Sequence, residues 1–415
     1  MPAMKSVQIT GYGKPNDVLQ MTDTRERPVL TKGQGQMLLK VHAVSLTPGD
    51  QRRMSGDVSG APIKLPPFPY VPCGDVCGTV LEVDENEKDL AFKVDPQGRD
   101  CVVGTWDEAG VGGLAEYMLV NTKMCAPKPA NADHLQSAAL ANSAQWARCA
   151  IDIAKVTPGD RVLVLGGSGG VGSMVIQMAR NAGASYVAAT SSDVAFLTNL
   201  GVDKAINYQE TNWWEDEEFK LQPFDVIFDH AEGYASYERA YAQKVIKSKS
   251  VGGRWIASVW KEWRIKATSL WEMLGFMLPG MWHHFQFRFF SPAYHILIFG
   301  AARSERMKRA GGEEARSERM KHHLQFGFSS PAEHMLISGA GPGGKTNREI
   351  FKQFDEGKFK VIIDKKGPFP FTEAGVKGAY NLLDSRRAKG KIVIEAARLQ
   401  GYLALTACEP AEDEW

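Results

Sequence analysis

The chain is 415 residues long and contains no C-x-x-C pair, no surplus of one charge sign and no long unbroken apolar run. Each absence removes a class of protein. The six cysteines, Cys73, Cys77, Cys101, Cys125, Cys149 and Cys408, are scattered. That argues against a thiol-redox motif and reads as reduced thiols in an intracellular protein. The 49 basic and 48 acidic residues leave a formal charge of +1. Nothing electrostatic therefore recommends nucleic acid or an anionic membrane as a partner. The most apolar stretch, Ala267 to Trp282, is interrupted by Glu272 and Pro279 and is too short to span a bilayer comfortably. No signal or transit peptide is visible before the strand-like Ser6-Val7-Gln8-Ile9-Thr10, so the expected location is cytoplasmic.

What is present centres on Val162-Leu163-Val164-Leu165-Gly166-Gly167-Ser168-Gly169-Gly170-Val171-Gly172. A short apolar run of this kind predicts a buried parallel strand. Val171, Val175, Met178, Ala179 and Ala182 then recur at helical spacing until Gly183, which is a stop signal. Gly167, Gly169 and Gly172 fit G-x-G-x-x-G in its strand–turn–helix context. There the first glycine permits the turn, the second admits a pyrophosphate and the third lets helix and strand pack closely. The free N–H groups of the helix start would face the phosphates. Gly167, Ser168, Gly169, Gly170, Val171 and Gly172 are accordingly the expected dinucleotide loop.

From Met4 to about Asn131 the pattern is β-rich and punctuated by glycine and proline, as in a sandwich or barrel. Helical spacing runs from His134 to Val156. Strands are expected at Tyr186–Thr190, Ala205–Tyr208, Phe224–Asp229 and Arg254–Val259, alternating with helices. That alternation implies a doubly wound parallel sheet. Near the end, Arg348–Glu356 and Phe371–Leu383 read as helices, and Val361–Asp364 and Lys391–Glu395 as strands. Between Trp282 and Gly341 the chain repeats itself: His283–Ala301 returns as His322–Ala340, and Ala302–Lys308 as Ala315–Lys321. Two copies are too few for a solenoid. A local duplication or a gene-model error is the expectation, with one copy supplying a sheet strand and the other bulging out or staying disordered.

Several ordered pieces together resemble the zinc-independent quinone oxidoreductase and enone reductase group of the medium-chain dehydrogenase/reductases. The reticulon-4-interacting-protein-like and zeta-crystallin-like members are the nearest in flavour. The pieces are Ser45–Asp50, Phe68–Asp75 with Gly78, the glycine loop, Leu200–Tyr208, Phe369–Ala374 and Ala388–Ile394. The resemblance implies a GroES-like, β-rich domain plus a doubly wound Rossmann domain. The first would take residues 1–135 and 345–400, the second 136–344 with the duplication at about 283–340, leaving 401–415 as a tail. It implies a homodimer; no nucleic acid and no membrane span are expected from the charge balance and the apolar runs. Zinc-using relatives carry a ligand cysteine before the position of Asp50 and Gly-His-Glu where this chain has Cys73-Gly74-Asp75. Cys73, Asp75 and Cys77 lack a neighbouring histidine for a tetrahedral site, so no metal is expected.

An NAD enzyme places Asp or Glu at the end of the second Rossmann strand, about 20 residues past the glycines. Here Thr190, Ser191 and Ser192 stand there, small and neutral, with Asp193 next. Tyr208 matches the family position beside a 2′-phosphate. NADPH is therefore the expected cofactor, although Thr190 and Ser192 also suit a helix cap. Reduction of a quinone or enone builds negative charge on oxygen, and Asp50, Arg52 and Tyr70 are the candidate acceptor-side residues. Arg52 would stabilise an enolate and Tyr70 would donate a proton. Equally, Asp50 suits a turn cap, Arg52 a solvated surface and Tyr70 simple packing. Gln145-Trp146 replaces the family's usual small run near the nicotinamide. The resemblance leaves two rivals: an enoyl-thioester reductase, and an NADPH-binding sensor with little turnover.

Overall fold

The computed structural model describes residues 2–56, 67–84, 101–104, 112–258, 294–296 and 343–396. Strand β1 (Ala3–Ile9) pairs antiparallel with β2 (Leu19–Glu26) across the short helix α1 (Pro15–Val18). The long strand β3 (Gln36–Leu46) leads into α2 (Pro48–Ser55), whose start is fixed by the Thr47–Asp50 capping box with Pro48 in the first turn. Such a box satisfies two of the helix's free N–H groups reciprocally. Four further strands follow: β4 (Asp75–Val83), β5 (Cys101–Gly104), β6 (Tyr117–Asn121) and β7 (Cys125–Pro127). β3 pairs antiparallel with β4 on one edge and with β6 on the other.

Helix α3 (His134–Ala154), capped by Asp133 and Gln136, passes from this sheet to the second one. There β8 (Arg161–Leu165), α4 (Gly170–Asn181), β9 (Tyr186–Ser191), α5 (Val194–Asn199) and β10 (Lys204–Asn207) alternate. They are followed by α6 (Glu217–Leu221), β11 (Val226–Asp229), α7 (Tyr234–Ala242), β12 (Arg254–Ala257) and β13 (Tyr294–Ile296). The order is β10-β9-β8-β11-β12-β13, parallel throughout. This is the 3-2-1-4-5-6 order of dinucleotide-binding sheets, which bind in the crevice where the order reverses. The apolar run of β8 is explained by its two covered faces. Val162 and Val164 join one core cluster, Leu163 and Leu165 the other. Each such side chain contributes about 1.5–3 kcal/mol on burial.

The chain then gives α8 (Gly343–Asp355), β14 (Phe369–Pro370), α9 (Glu373–Asp384) and β15 (Ile392–Glu395). β15 crosses back to the first sheet and pairs antiparallel with β3, Ile392 opposite Leu46 and Glu395 opposite Ala43. The expected strand at Val361–Asp364 is not one. Only Ile363 bridges to Lys391, because Asp364 turns the chain by accepting the N–H groups of Lys366 and Lys389 on its carboxylate. Of the repeated stretch, the first copy contributes β13; its other residues, the second copy, Ala267–Trp282 and the tail lie outside the described residues. Among the described residues no helix is long and apolar enough to cross a membrane.

Ile394 is fully buried in the first sheet's core. Ile394→Ala is expected to cost about 2–5 kcal/mol. Urea denaturation with unchanged far-ultraviolet circular dichroism would check this.

Candidate active site

The glycine loop lies at the crevice the strand order creates. Gly169 is the N-cap of α4 and its carbonyl accepts from Ser173 N–H at 3.0 Å. A Cβ added at Gly172 would stand 2.3 Å from Gly166 O, so helix and strand need a glycine there to pack. A Cβ added at Gly169 would meet nothing closer than Gly166 O at 3.4 Å. The space above Gly169 is thus open to a ligand, and the N–H groups at the helix start supply the positive end. Val171 is half-buried against the Rossmann core.

The end of β9 is built from both parts of the chain. Thr190 does not face a ligand: it is buried, and its Oγ1 accepts from Gly166 N–H at 3.0 Å. Ser191 Oγ donates to Ser168 Oγ at 2.7 Å. Lys389, approaching from the segment before β15, donates from Nζ to Ser192 Oγ at 2.8 Å and to Ser191 Oγ at 3.3 Å. Asp193 is taken up as the N-cap of α5, accepting Phe196 N–H on Oδ1 at 3.0 Å. The helix cap is therefore Asp193, not Thr190 or Ser192. In the neighbouring strand Asn207 stands opposite Ser191, so the half-exposed Tyr208 follows at the same end.

Across the crevice, after β11, Asp229 accepts the N–H groups of Ala231, Glu232 and Gly233 and folds the following loop. Burial pushes its carboxyl up to about 6. His230 Nδ1 lies 2.7 Å from Ser258 Oγ, and burial pushes the imidazole down to about 4. The ring is therefore neutral near pH 7. Trp146 packs half-buried against the Rossmann core.

The three acceptor-side candidates separate. Asp50 is buried, with Oδ2 accepting from Thr47 N–H at 2.8 Å and Thr47 Oγ1 at 2.7 Å. Burial raises its carboxyl while those bonds lower it. Arg52 is exposed in the last turn of α2. Tyr70 is buried in the first core, bonded through its backbone to Ile9 and stacked on Phe68, with no hydrogen-bond partner for its hydroxyl among the described residues. Burial raises its phenol. Behind Tyr70 and Asp50 lies a buried group that includes Cys73, Asp75, Tyr380 and Lys391. Cys73 Sγ is 3.3 Å from Tyr380 Oη, and burial pushes its thiol up, away from the thiolate a metal requires. Asp75 faces Lys391 Nζ at 3.6 Å. Among the described residues no three His, Cys, Asp or Glu side chains converge on a metal position. A buried thiol held protonated and a carboxylate facing an ammonium are a poor donor set for zinc.

A parallel sheet with a glycine loop at its switch point, tied by its final strand to a β-rich partner, defines a two-domain nucleotide-dependent dehydrogenase. Residues 33–130 match the alcohol dehydrogenase GroES-like domain and residues 200–394 the zinc-binding dehydrogenase family. The two matches together follow the domain plan of the medium-chain dehydrogenase/reductases. It is 29% identical to the 2-methylene-furan-3-one reductase of Solanum lycopersicum, over 94% of this chain and 79% of that protein. It is also 29% identical to the chloroplastic NADPH-dependent alkenal/one oxidoreductase of Arabidopsis thaliana, with the same coverage. The solved quinone oxidoreductase of Pseudomonas syringae shares the fold at TM-score 0.66 and 17% identity, covering 95% of this chain and all of that one.

Sequence reasoning missed Lys389 and His230. The signal for Lys389 was present in Ala388-Lys389-Gly390-Lys391, a basic pair leading into a strand that must return past α4. Gly169→Val is expected to keep the fold, costing about 1 kcal/mol as a poor N-cap, and to lose dinucleotide binding. Gly172→Val is expected to lose the fold. Thermal melts and fluorescence titration of both variants check the pair.

Proposed function

We propose that this chain is an NADPH-dependent, zinc-free oxidoreductase that transfers hydride to a quinone or to the C=C bond of an α,β-unsaturated carbonyl. The observation carrying it is the cluster at the end of β9, where the Lys389 ammonium sits between the hydroxyls of Ser191 and Ser192. A cation and neutral hydroxyls suit a 2′-phosphate, whereas an NAD enzyme presents a carboxylate at this place. The carboxylate next in the chain, Asp193, is committed to its helix cap, and Asp364 to the backbone N–H groups of Lys366 and Lys389. The acceptor class is supported by the two relatives' names, a furanone reductase and an alkenal/one oxidoreductase.

When bound, the nicotinamide supplies the hydride and its electron pair. The chain does the holding. N–H groups at Gly170, Val171 and Gly172 would take the pyrophosphate, as helix starts do. Lys389, Ser192 and Tyr208 would take the adenosine phosphate, with the buried Ser191 hydroxyl helping to hold the ammonium in place. Asp50 holds α2 in place, and Tyr70 packs the wall behind it. A cytoplasmic location and a homodimer belong to the same reading; light scattering tests the latter.

The test is titration with NADPH and NADH by protein fluorescence, then oxidation assays with a quinone and a short enone. Lys389→Ala is expected to weaken NADPH at least tenfold, the loss of about 1.5–3 kcal/mol for a hydrogen bond to a charged group. NADH affinity should be unchanged. Equal weakening of both cofactors would overturn the 2′-phosphate assignment, and binding without turnover would make the chain a sensor.

A further inference from the structure

The buried pair formed by Asp75 and Lys391 has no part in the binding scheme above, and its geometry is unusual. Both side chains are almost wholly enclosed, at 2% and 4% exposure. Lys391 Nζ donates to Leu46 O at 3.1 Å and faces Asp75 Oδ2 at 3.6 Å. An ammonium has three N–H donors: Leu46 O takes one, Asp75 Oδ2 faces a second at ion-pair distance, and the third has no acceptor among the described residues. Asp75 Oδ2 has that ammonium alone as its partner, just beyond ordinary hydrogen-bond length, while the carboxylate accepts from the backbone of Asn142 on α3. A buried N–H left unpaired is costly. The pair is thus held loosely, with one N–H of the ammonium left over.

The place is the junction of the two domains. The stem of Lys391 lies against the first residue of α4: a Cβ on Gly170 would come within 2.6 Å of Lys391 Cδ and 3.6 Å of Ser143 Oγ. Leu46 O ends β3, and Asp75 begins β4. The pair thus sits beside the dinucleotide loop, beneath the crevice. The other titratable groups acting on it are Asp50 from α2 and Cys73 just before β4; Tyr380 of α9 bonds Cys73.

We propose that Asp75 and Lys391 form the proton store for acceptor reduction. The proposal rests on the oxidoreductase reading. Each hydride leaves the acceptor as an anion that must gain one proton. The free N–H of Lys391 breaks and its proton bonds to that anion, leaving a neutral amine. The Asp75 acid then gives its proton to the amine, restoring the ammonium and becoming a carboxylate. Solvent returns one proton to Asp75. Asp75 is thus a positioning residue that acts through Lys391. Burial supports this by raising the Asp75 carboxyl to about 7, against the pull of Lys391. Both forms are then available near neutrality.

The test pairs infrared difference spectra with pH profiles of kcat for the full chain. The carboxylic-acid stretch of the wild type should disappear as pH rises through about 7 and be missing from Asp75→Asn. Wild-type kcat should fall tenfold per pH unit above that point. In Asp75→Asn it should be flat and lower by about 10²-fold or more. Lys391→Met, which removes the cation, should move the Asp75 titration to higher pH. A wild-type spectrum without this titration, or an Asp75→Asn variant with the wild-type profile, overturns the proposal alone. Titration without turnover on either acceptor overturns the oxidoreductase reading and the proposal together.

Discussion

One backbone hydrogen bond joins the two halves of this molecule: Gly390 N–H to Ser168 O, 2.7 Å. It pins the segment before β15 onto the glycine loop, with Gly169 and Gly390 bridged in parallel. In a plain extended chain residues two apart line one face; the left-handed backbone at Gly390 breaks that alternation and lets the flanking lysines part. Lys389 goes toward the end of β9 and Lys391 toward the base of β4. One tripeptide reaches both regions because its middle residue is held in place and is itself a glycine at φ 88°. A side chain at Gly390 would drive its Cβ to 2.2 Å from Ile362 O.

Much of the fold was legible because each local signal agreed with the whole. The run at β8 is apolar on both faces, and the sheet covers both faces. The glycine pattern sits between a strand and a helix, as its physics requires. The reading failed at Val361–Asp364, where three apolar residues suggested a strand. There a carboxylate that binds two backbone N–H groups outweighs β-propensity, which is a weak and context-bound preference.

The site was less legible, for a reason of distance along the chain. Ser191 and Ser192 could be read as a neutral end to a strand, but Lys389 is about two hundred positions away. No spacing rule links them; only the return of β15 does. Asp193, a carboxylate beside a phosphate site, is accounted for by its capping bond to Phe196 N–H, which the sequence does not display. Asp50, Arg52 and Tyr70 lie close in sequence to a family motif, yet their surroundings differ: one caps, one is exposed and one is enclosed.

The pairing of β15 with β3 also carries a history. Ser45 Oγ bonds the carbonyl of Ile392, 347 positions later. On a growing chain β3 is made early, and one stretch of its edge stays open until β15 emerges. The Rossmann strands β8 to β12 lie between the two, so their sheet can assemble while the first waits. Domains made during synthesis fold as units, and exposed strand edges invite pairing with other chains. The part of the molecule that is synthesised first is thus among the last to be completed, and its unfilled edge is where newly made chains are most open to capture by one another.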